Sequence, residues 1–233
     1  MNKNVIYTAI FGDYDHLEKP KFIPDGFDFI CFTDTDLKSD FWEVRKVLPL
    51  YKDSTRNARR YKLLPHRYLS EYDISIWMDG NFLIRDDVNE LIDKYLSDKN
   101  FACHDHMNCQ LDPRDCIYDE YNAIMNLGKN DPNQNFKDNP QVMYDQVKRY
   151  QDEGYPSHNG LITGMVILRR HNEKDCIRVM EDWWTEIKYG SKRDQLSFNY
   201  VAWKNNTKFN YMDGDSRNNE YFTRDTKPHK GNK

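Results

Sequence analysis

A short apolar segment that ends in an acid constrains the fold of this chain more than any other stretch. Residues 74–78 read Ile-Ser-Ile-Trp-Met and are followed by Asp79, Gly80 and Asn81. A short apolar run bounded by turn residues predicts a buried strand with a sharp exit. In open α/β sheets the carboxyl ends of the strands form the ligand crevice, so Asp79 is a candidate ligand for a metal or a polar substrate. An Asp-Gly turn is also an ordinary loop, and the neighbouring segments have to decide between the two interpretations.

Length and composition favour one α/β domain. The chain has 233 residues, which suffices for one sizeable core but not for two. No apolar run approaches the ~20 residues that a bilayer requires, and the N-terminus lacks the apolar core of a signal peptide. The net charge of -4 argues against general nucleic-acid binding. The odd number of five cysteines predicts reduced thiols, as in a cytoplasmic protein.

Strand and helix patterns alternate along the chain, and no Gly-x-Gly-x-x-Gly follows the first strand, which disfavours a dinucleotide-binding fold. Strands are predicted over residues 5–11, 27–33, 41–47, 74–78, 101–104, 160–168 and 209–211. Helices are predicted over residues 54–71 with a bend at Pro65, 141–153 and 173–188, with further helices starting near residues 86 and 193. A polar stretch over residues 126–139 predicts a long loop that could serve as a lid.

The first predicted helix carries an unusual concentration of basic residues. Arg56, Arg59, Arg60 and Lys62 lie within seven positions, and residues three or four apart share a helix face. Such a run is either a solvated basic face or a clamp for a diphosphate, since guanidinium groups match phosphate oxygens in pairs.

A cysteine- and histidine-rich segment offers a second candidate site. Its potential soft ligands are Cys103, His104, His106, Cys109 and Cys116. Structural zinc sites usually draw ligands as two close pairs separated by a loop, and no second pair follows here. The alternative is that His104 or His106 contacts a substrate while the cysteines fill the core.

Two further segments each allow two interpretations. Asp194 and Gln195 are either the first turn of a helix, with the acid near the positive end of the dipole, or a pair that stabilises an oxocarbenium-like sugar. The basic segment from Ser216 is either a disordered end or a flap, in which His229 completes a metal site and Lys230 contacts phosphate.

The order of these segments resembles that of GT-A nucleotide-sugar glycosyltransferases. Residues 54–64 and 72–81 resemble the Arg-containing helix and the Asp-x-Asp strand of glycogenin-like retaining transferases. The chain also resembles a glycosyltransferase-like domain family of bacteria and plants, in residues 6–13, 77–80, 116–120, 168–172 and 193–198. The resemblance implies one GT-A-like (Rossmann-like) α/β domain over residues 1–215, with a mixed, mostly parallel central sheet flanked by helices. Residues 216–233 would form the basic tail, a candidate flap over the active site.

The resemblance also implies roles for individual residues. The nucleoside would be held by Thr8, Ala9, Phe11 and Asp34. The diphosphate would meet Arg59 and Lys230. A divalent metal, Mn2+ or Mg2+, would be held by Asp79, Asn81 and His229. The sugar would lie over Asp194 and Gln195. Candidates that face the acceptor are His104, His106, Glu120, His158 and Asn199. This chain departs from the family pattern in two places, with Asn81 at the second acid of Asp-x-Asp and Leu196 at the acid after Asp-Gln.

The predicted function is metal-assisted transfer of a sugar, with retention, from a nucleotide-diphosphate donor to a glycan or another hydroxyl acceptor in polysaccharide biosynthesis. One alternative is a nucleotide- or glycan-binding module that lost turnover with the acid at position 81. The other is an interaction domain stabilised by zinc.

Overall fold

The computed structural model describes residues 3–225, 227, 229 and 230. Nine strands lie within this described part of the chain. They are β1 Asn4–Ile10, β2 Phe27–Thr33, β3 Glu43–Lys46, β4 Ile74–Met78, β5 Phe82–Ile84, β6 Phe101–Asp105, β7 Ile162–Arg169, β8 Asn210–Met212 and β9 Phe222–Arg224.

Seven of the strands form one sheet in the order β3-β2-β1-β4-β7-β6-β8. Strands β3, β2, β1 and β4 pair in parallel, and β8 pairs in parallel with β6. Strand β7 runs antiparallel to both of its neighbours, β4 and β6. The prediction of a mixed, mostly parallel sheet is therefore confirmed. Strands β5 and β9 form a separate antiparallel pair.

Helices flank the sheet, as predicted. They are α1 Ser54–Leu63, α2 Pro65–Tyr68, α3 Asn89–Tyr95, α4 Ile117–Asn130, α5 Pro140–Asp152, α6 Lys174–Tyr189 and α7 Phe198–Lys204. Two 3-10 turns, His106–Asn108 and Asp194–Leu196, connect some of these elements.

Helix α1 begins where the sequence predicts and ends earlier. The Asp53 carboxylate caps its N-terminus by accepting from the Arg56 amide at 3.0 Å. The prediction that one helix continues to Glu71 is wrong, because α1 stops at Leu63 and Pro65 opens a second helix of four residues. Proline lacks an amide hydrogen and disfavours helical backbone in the residue before it, which accounts for the break.

The predicted loop over residues 126–139 is wrong in its first part. Residues 126–130 are the last turn of α4, and only the stretch between α4 and α5 is irregular. Helix α4 buries Ile117 and Ile124, and Ile124 packs against Met143 of α5 and Leu196. The helical spacing of those apolar residues is the signal that outweighs the polar composition of the helix end.

Apolar layers cover both faces of the sheet. Alternate residues of β1 point to opposite sides, so Tyr7 packs with Trp77 and Trp183 of α6, whereas Ile6 packs on the face covered by α3. The side chain of Phe222 in β9 is also fully buried. Any part of the predicted tail that is available as a flap therefore begins after Asp225.

Two further predictions concern the whole described chain. No helix among the described residues combines the length and the apolar character needed to cross a bilayer. All five cysteines are buried as free thiols, as the sequence predicts.

Candidate functional site

Four charged side chains from three parts of the chain meet at the carboxyl end of β4. Lys62 Nζ lies 2.6 Å from Asp194 Oδ2 and 3.5 Å from Asp79 Oδ1. Arg59 Nε lies 3.2 Å from the same oxygen of Asp194, and a terminal nitrogen of Arg59 lies 3.9 Å from Asp79 Oδ1. Arg59 and Lys62 are three residues apart and share a face of α1. We call these four residues the charge cluster, and they join the predicted sites at positions 79 and 194 into one.

The charge cluster is graded in burial. The exposed fraction of the side chain is 1% for Lys62 and 4% for Asp194, against 16% for Arg59 and 27% for Asp79. Charges buried to this degree persist only when they are paired. The cluster therefore has a closed base, formed by Lys62 and Asp194, and a side that a ligand can reach, formed by Arg59 and Asp79.

The two buried members have shifted pKa values. Burial alone raises the pKa of Asp194, but the Arg59 and Lys62 cations outweigh it and hold that pKa well below its ordinary value. Burial lowers the pKa of Lys62, and Arg59 lowers it further, while Asp194 and Asp79 act in the opposite direction. Asp194 is consequently a carboxylate over the whole physiological pH range.

Asp79 is oriented by the strand that precedes it. The indole nitrogen of Trp77 donates to Asp79 Oδ1 at 2.9 Å, and the Asp79 amide donates to the carbonyl of Met165 in β7 at 2.9 Å. Because Trp77 is buried in the core, its hydrogen bond holds the Asp79 carboxylate in its place within the charge cluster.

Asp194 and Gln195 lie in a 3-10 turn, and the predicted helix begins only at Phe198. The Trp183 indole donates to the Asp194 carbonyl at 3.0 Å, and the Gln195 amide donates to the carbonyl of Ile162 at 3.1 Å. The Asp194 side chain does not cap a helix but enters the charge cluster. The position of the acid in a first helical turn is therefore observed, and its pairing with a sugar stays a prediction.

The residues predicted to hold the nucleoside lie in β1 or directly after β1 and β2. Thr8, Ala9 and Phe11 are buried, and the Thr8 hydroxyl has no hydrogen-bond partner among the described residues. Asp34 is half-buried and accepts from the Gly12 amide at 2.9 Å. Contacts from β1 to a ligand would therefore come from its backbone and its following loop, with Asp34 beside them.

The tail reaches the same loop. His229 forms a hydrogen bond with Asp15 and stacks on Tyr14 with ring centroids 4.4 Å apart. The Lys230 amide donates to the Tyr14 carbonyl at 3.0 Å, and its ammonium lies 3.4 Å from Asp13 Oδ1. His229 and Gly231 resemble the C-terminal His-x-Gly of the glycogenin-like transferases, and Gly231 lies outside the described residues.

Asp15 is a residue that the sequence reasoning missed. A Cβ atom at Gly80 would lie 3.3 Å from the Asp15 Cβ, so this acid sits beside the turn that carries Asp79 and Asn81. Burial raises the pKa of Asp15, against the effect of His229, and Asp79 adds to the increase. The only sequence signal was the acidic loop after the first strand.

Asn81, in the same turn as Asp79, accepts through its backbone carbonyl from the Asp225 amide at 2.7 Å.

Lys62 is the second missed residue. It lies in the basic run, but the resemblance singled out Arg59 alone. The spacing of three residues from Arg59 was the signal that could have identified it.

The histidines predicted to face the acceptor are separated from one another. His104 is buried in the sheet, where burial lowers its pKa to about 4, so the ring is neutral. His106 is also buried. His158 is exposed and pairs with Asp115 at 2.7 Å. These three residues do not form one surface.

Glu120 and Asn199 both have partners within the protein. The Arg114 guanidinium donates to Glu120 Oε2 at 2.9 Å, a pairing that the sequence did not predict. Asn199 accepts from the Ile162 amide at 3.0 Å and donates to the Tyr211 hydroxyl at 3.1 Å. Asn199 therefore supports the strand that also receives Gln195.

The predicted zinc ligands do not converge. Within the described residues, His106 and Cys109 come together with Asp112, whereas Cys116 lies with Asp119 and His158. Both oxygens of Asp112 already face guanidinium groups, of Arg114 at 3.0 Å and of Arg217 at 2.6 Å.

Comparison with known proteins identifies relatives of this chain. A family model described as "TOD1/MUCI70, glycosyltransferase-like domain" matches residues 31–221. The probable hexosyltransferase MUCI70 of Arabidopsis thaliana is 26% identical over 240 residues, which are 89% of this chain but only 38% of that protein. The apo form of mouse xyloside xylosyltransferase 1 has a TM-score of 0.48 at 10% identity, covering 91% of this chain and 85% of its own. The apo WbbM bifunctional glycosyltransferase has a TM-score of 0.46 at 9% identity, covering 91% of this chain and 38% of its own.

Proposed function

Because the chain belongs to the TOD1/MUCI70 glycosyltransferase-like domain family, we propose that it transfers a sugar from a nucleotide-diphosphate donor to a hydroxyl group of a glycan or a similar acceptor. The bond between the anomeric carbon and the diphosphate oxygen breaks, the acceptor oxygen bonds to that carbon, and the acceptor proton leaves with the diphosphate. The similarity to a probable hexosyltransferase supports a hexose as the sugar. Retention of configuration, a role in polysaccharide biosynthesis and a cytoplasmic location belong to the same proposal.

The charge cluster carries this proposal. Buried, prealigned charges stabilise a reaction in which charge moves, because they need not reorganise as it proceeds. Arg59 is the cation that a ligand can reach, and a guanidinium can meet two phosphate oxygens at once. The ionised Asp194 suits the positive charge that develops on the sugar ring, and Gln195 supports the same turn. Asp34 and the backbone near Thr8 would hold the nucleoside.

The residues near Asp79 fit a small divalent cation as a partial set of ligands. Asp79 and Asn81 offer the hard oxygen atoms that Mn2+ and Mg2+ prefer, and His229 lies on the neighbouring loop with Asp15. Asp79 is the one carboxylate among these three ligands, so the diphosphate would complete the set. When bound, the metal would neutralise charge on the leaving diphosphate. Lys230 would add a positive charge from the tail.

Release of free nucleotide from a panel of UDP-hexoses and GDP-hexoses tests the proposal. The native protein should release nucleotide from one donor and yield a glycoside whose anomeric configuration, read by NMR, matches that of the donor. Gln195→Ala should lower kcat far more than it changes the donor KM, as expected for a group that acts mainly in the transition state. Gln151→Ala, on the exposed face of α5, serves as the matched control. Equal losses in kcat and affinity would mark Gln195 as a binding or structural residue.

Asn81 favours a second candidate, a module that binds a nucleotide or glycan without turnover. An amide in place of an acid removes one charge from the metal ligands. Calorimetry that detects donor binding, together with no nucleotide release from any donor in the panel, would support this second function over transfer.

A further inference from the structure

Lys62 is almost completely closed off from solvent. Its side chain is 1% exposed, whereas Arg59 on the same face of α1 is 16% exposed. Arg59 and Asp79 therefore form the reachable side of the charge cluster, and Lys62 contacts only the protein. Its effect on a ligand has to pass through the carboxylates that it holds.

We propose that Lys62 is a positioning residue for sugar transfer: its ammonium holds the Asp194 carboxylate in place beneath the donor sugar and ties it to Asp79. The inference rests on the proposed function, which assigns Asp194 to the sugar and Asp79 to the diphosphate and its metal.

The ammonium links two parts of the site that are far apart in the chain. Its 2.6 Å contact reaches Asp194 in the turn after α6, and its 3.5 Å contact reaches Asp79 after β4. The Trp77 indole, whose ring centroid lies 5.4 Å from Lys62 Nζ, fixes the same Asp79 oxygen. A shift of Lys62 would therefore move the two carboxylates relative to each other.

Lys62 is itself held from behind. Its carbonyl accepts from Arg169 of β7 at 2.7 Å and from the Tyr7 hydroxyl of β1 at 2.9 Å, and both donors are fully buried. A lysine side chain is flexible in water, but here the backbone from which it extends is anchored on two strands. The sheet thus fixes the backbone of Lys62, and the two carboxylates hold its ammonium.

Strand β7 also leaves space for the contact. At Gly164 an added Cβ would lie 2.9 Å from both Lys62 Nζ and Asp194 Oδ2, closer than normal contact allows. Glycine within a strand often marks a close approach of this kind. Substitution at Gly164 therefore offers a way to displace the pair while both charges remain.

Stability alone does not account for such a pair. Buried ion pairs contribute little net stability when compared with apolar residues of similar volume. The charged groups that act on Asp194 are Arg59 and Lys62 from α1 and Arg193, which precedes it in the chain. Arg59 alone could balance the charge of Asp194, so the contribution of Lys62 is the closed and directed contact at the base of the site.

Lys62→Met tests the inference, with Gly164→Ala as a second variant and Arg60→Met as the matched control. Arg60 lies on α1 too, but its guanidinium stacks on Tyr68 at 5.3 Å from the ring centroid. The first readout is the pH titration of the 13C-labelled Asp194 carboxyl group by NMR, which requires no turnover. The second is the separation of kcat from the donor KM, with the pH profile of kcat.

In Lys62→Met we expect the Asp194 carboxyl to titrate higher by about one pH unit or more, since a neighbouring cation is lost. In both test variants kcat should fall by about tenfold or more while the donor KM changes by less than about threefold. Arg60→Met should match the native protein in every readout.

Three results would overturn the inference. They are an unchanged Asp194 titration in folded Lys62→Met, a loss confined to the donor KM, and native kcat in folded Gly164→Ala. If Lys62→Met does not fold, Gly164→Ala decides through its kcat. A native protein that shows no transfer would count against the proposed function alone, because the carboxyl titration tests the contact without turnover.

Discussion

Asp194→Asn tests how strongly the fold depends on the central carboxylate of the charge cluster. Asparagine keeps the shape of the side chain but removes the charge that lies 2.6 Å from Lys62 Nζ. Two unit charges at this separation attract by about 6 kcal/mol at an effective dielectric constant of about 20. Desolvation of both groups offsets much of that attraction, and removal of one partner of a buried pair costs about 3–5 kcal/mol.

We expect Asp194→Asn to lower the free energy of unfolding by about 2–4 kcal/mol, because Lys62 retains Asp79 as a second partner. Urea denaturation, followed by tryptophan fluorescence at neutral pH, measures this change. Lys62→Met and the double variant complete a mutant cycle. The loss in the free energy of unfolding of the double variant should be smaller than the sum of the two single losses by about 1–3 kcal/mol. A loss below about 0.5 kcal/mol for Asp194→Asn, or strict additivity, would refute the buried contact.

The difference in the free energy of unfolding between the native protein and Asp194→Asn should depend on pH. The pKa of Asp194 in the folded protein lies below its unfolded value of about 3.9. Its carboxylate therefore contributes stability that is fully present above that unfolded value and is lost as the pH falls through the folded pKa. This difference in the free energy of unfolding should stay constant from about pH 8 to about pH 5 and should decrease only in stronger acid.

Three further outcomes follow from the site. Arg59→Ala should weaken UDP or GDP binding in calorimetry by about 1.5–3 kcal/mol, since a charged hydrogen-bond partner is lost, whereas Arg60→Ala should change it little; unchanged affinity in Arg59→Ala would remove Arg59 from the diphosphate site. Asn81→Asp should tighten Mn2+ binding without nucleotide, because a carboxylate adds charge and a strong oxygen ligand; titrations equal to the native ones, with and without nucleotide, would show that Asn81 does not face the metal. Deletion of residues 227–233 should change Tm by less than about 2 °C, because exposed ion pairs contribute little, yet it should reduce nucleotide affinity; a large Tm shift without ligand would show that the segment is part of the core.

The elements that the sequence predicts well are those whose signals are local. The run at residues 74–78 is a central strand that ends at Asp79, and Asp53 caps α1, because burial pattern and capping involve residues close in the chain. Helix α4 was missed because its polar end concealed the spacing of its buried face.

The arrangement of the site required information that local patterns do not contain. Lys62 and Asp194 are 132 residues apart, and no spacing rule connects them. In the sequence, Gly164 is only a glycine within a strand, whereas in the structure the Lys62 ammonium and the Asp194 carboxylate lie against it. The sequence likewise does not show that Asp15, in the loop after β1, packs against Gly80. Long-range packing, rather than propensity, brings these groups together.

The pairing of β5 with β9 has a consequence for how the protein is made. The turn that carries Asn81 leads into β5, and both segments contact residues far downstream in the chain. The Asp225 amide donates to the Asn81 backbone carbonyl. Arg85, directly after β5, donates to the side chain of Asn218, which lies 133 residues away. Chains emerge from the ribosome from the N-terminus onward, and contacts between distant segments close slowly. A nascent chain can therefore build β1 to β4 early and still lack the finished turn. The turn at Asn81, where we propose that the metal and the donor diphosphate bind, gains its contact with Asp225 only late in translation.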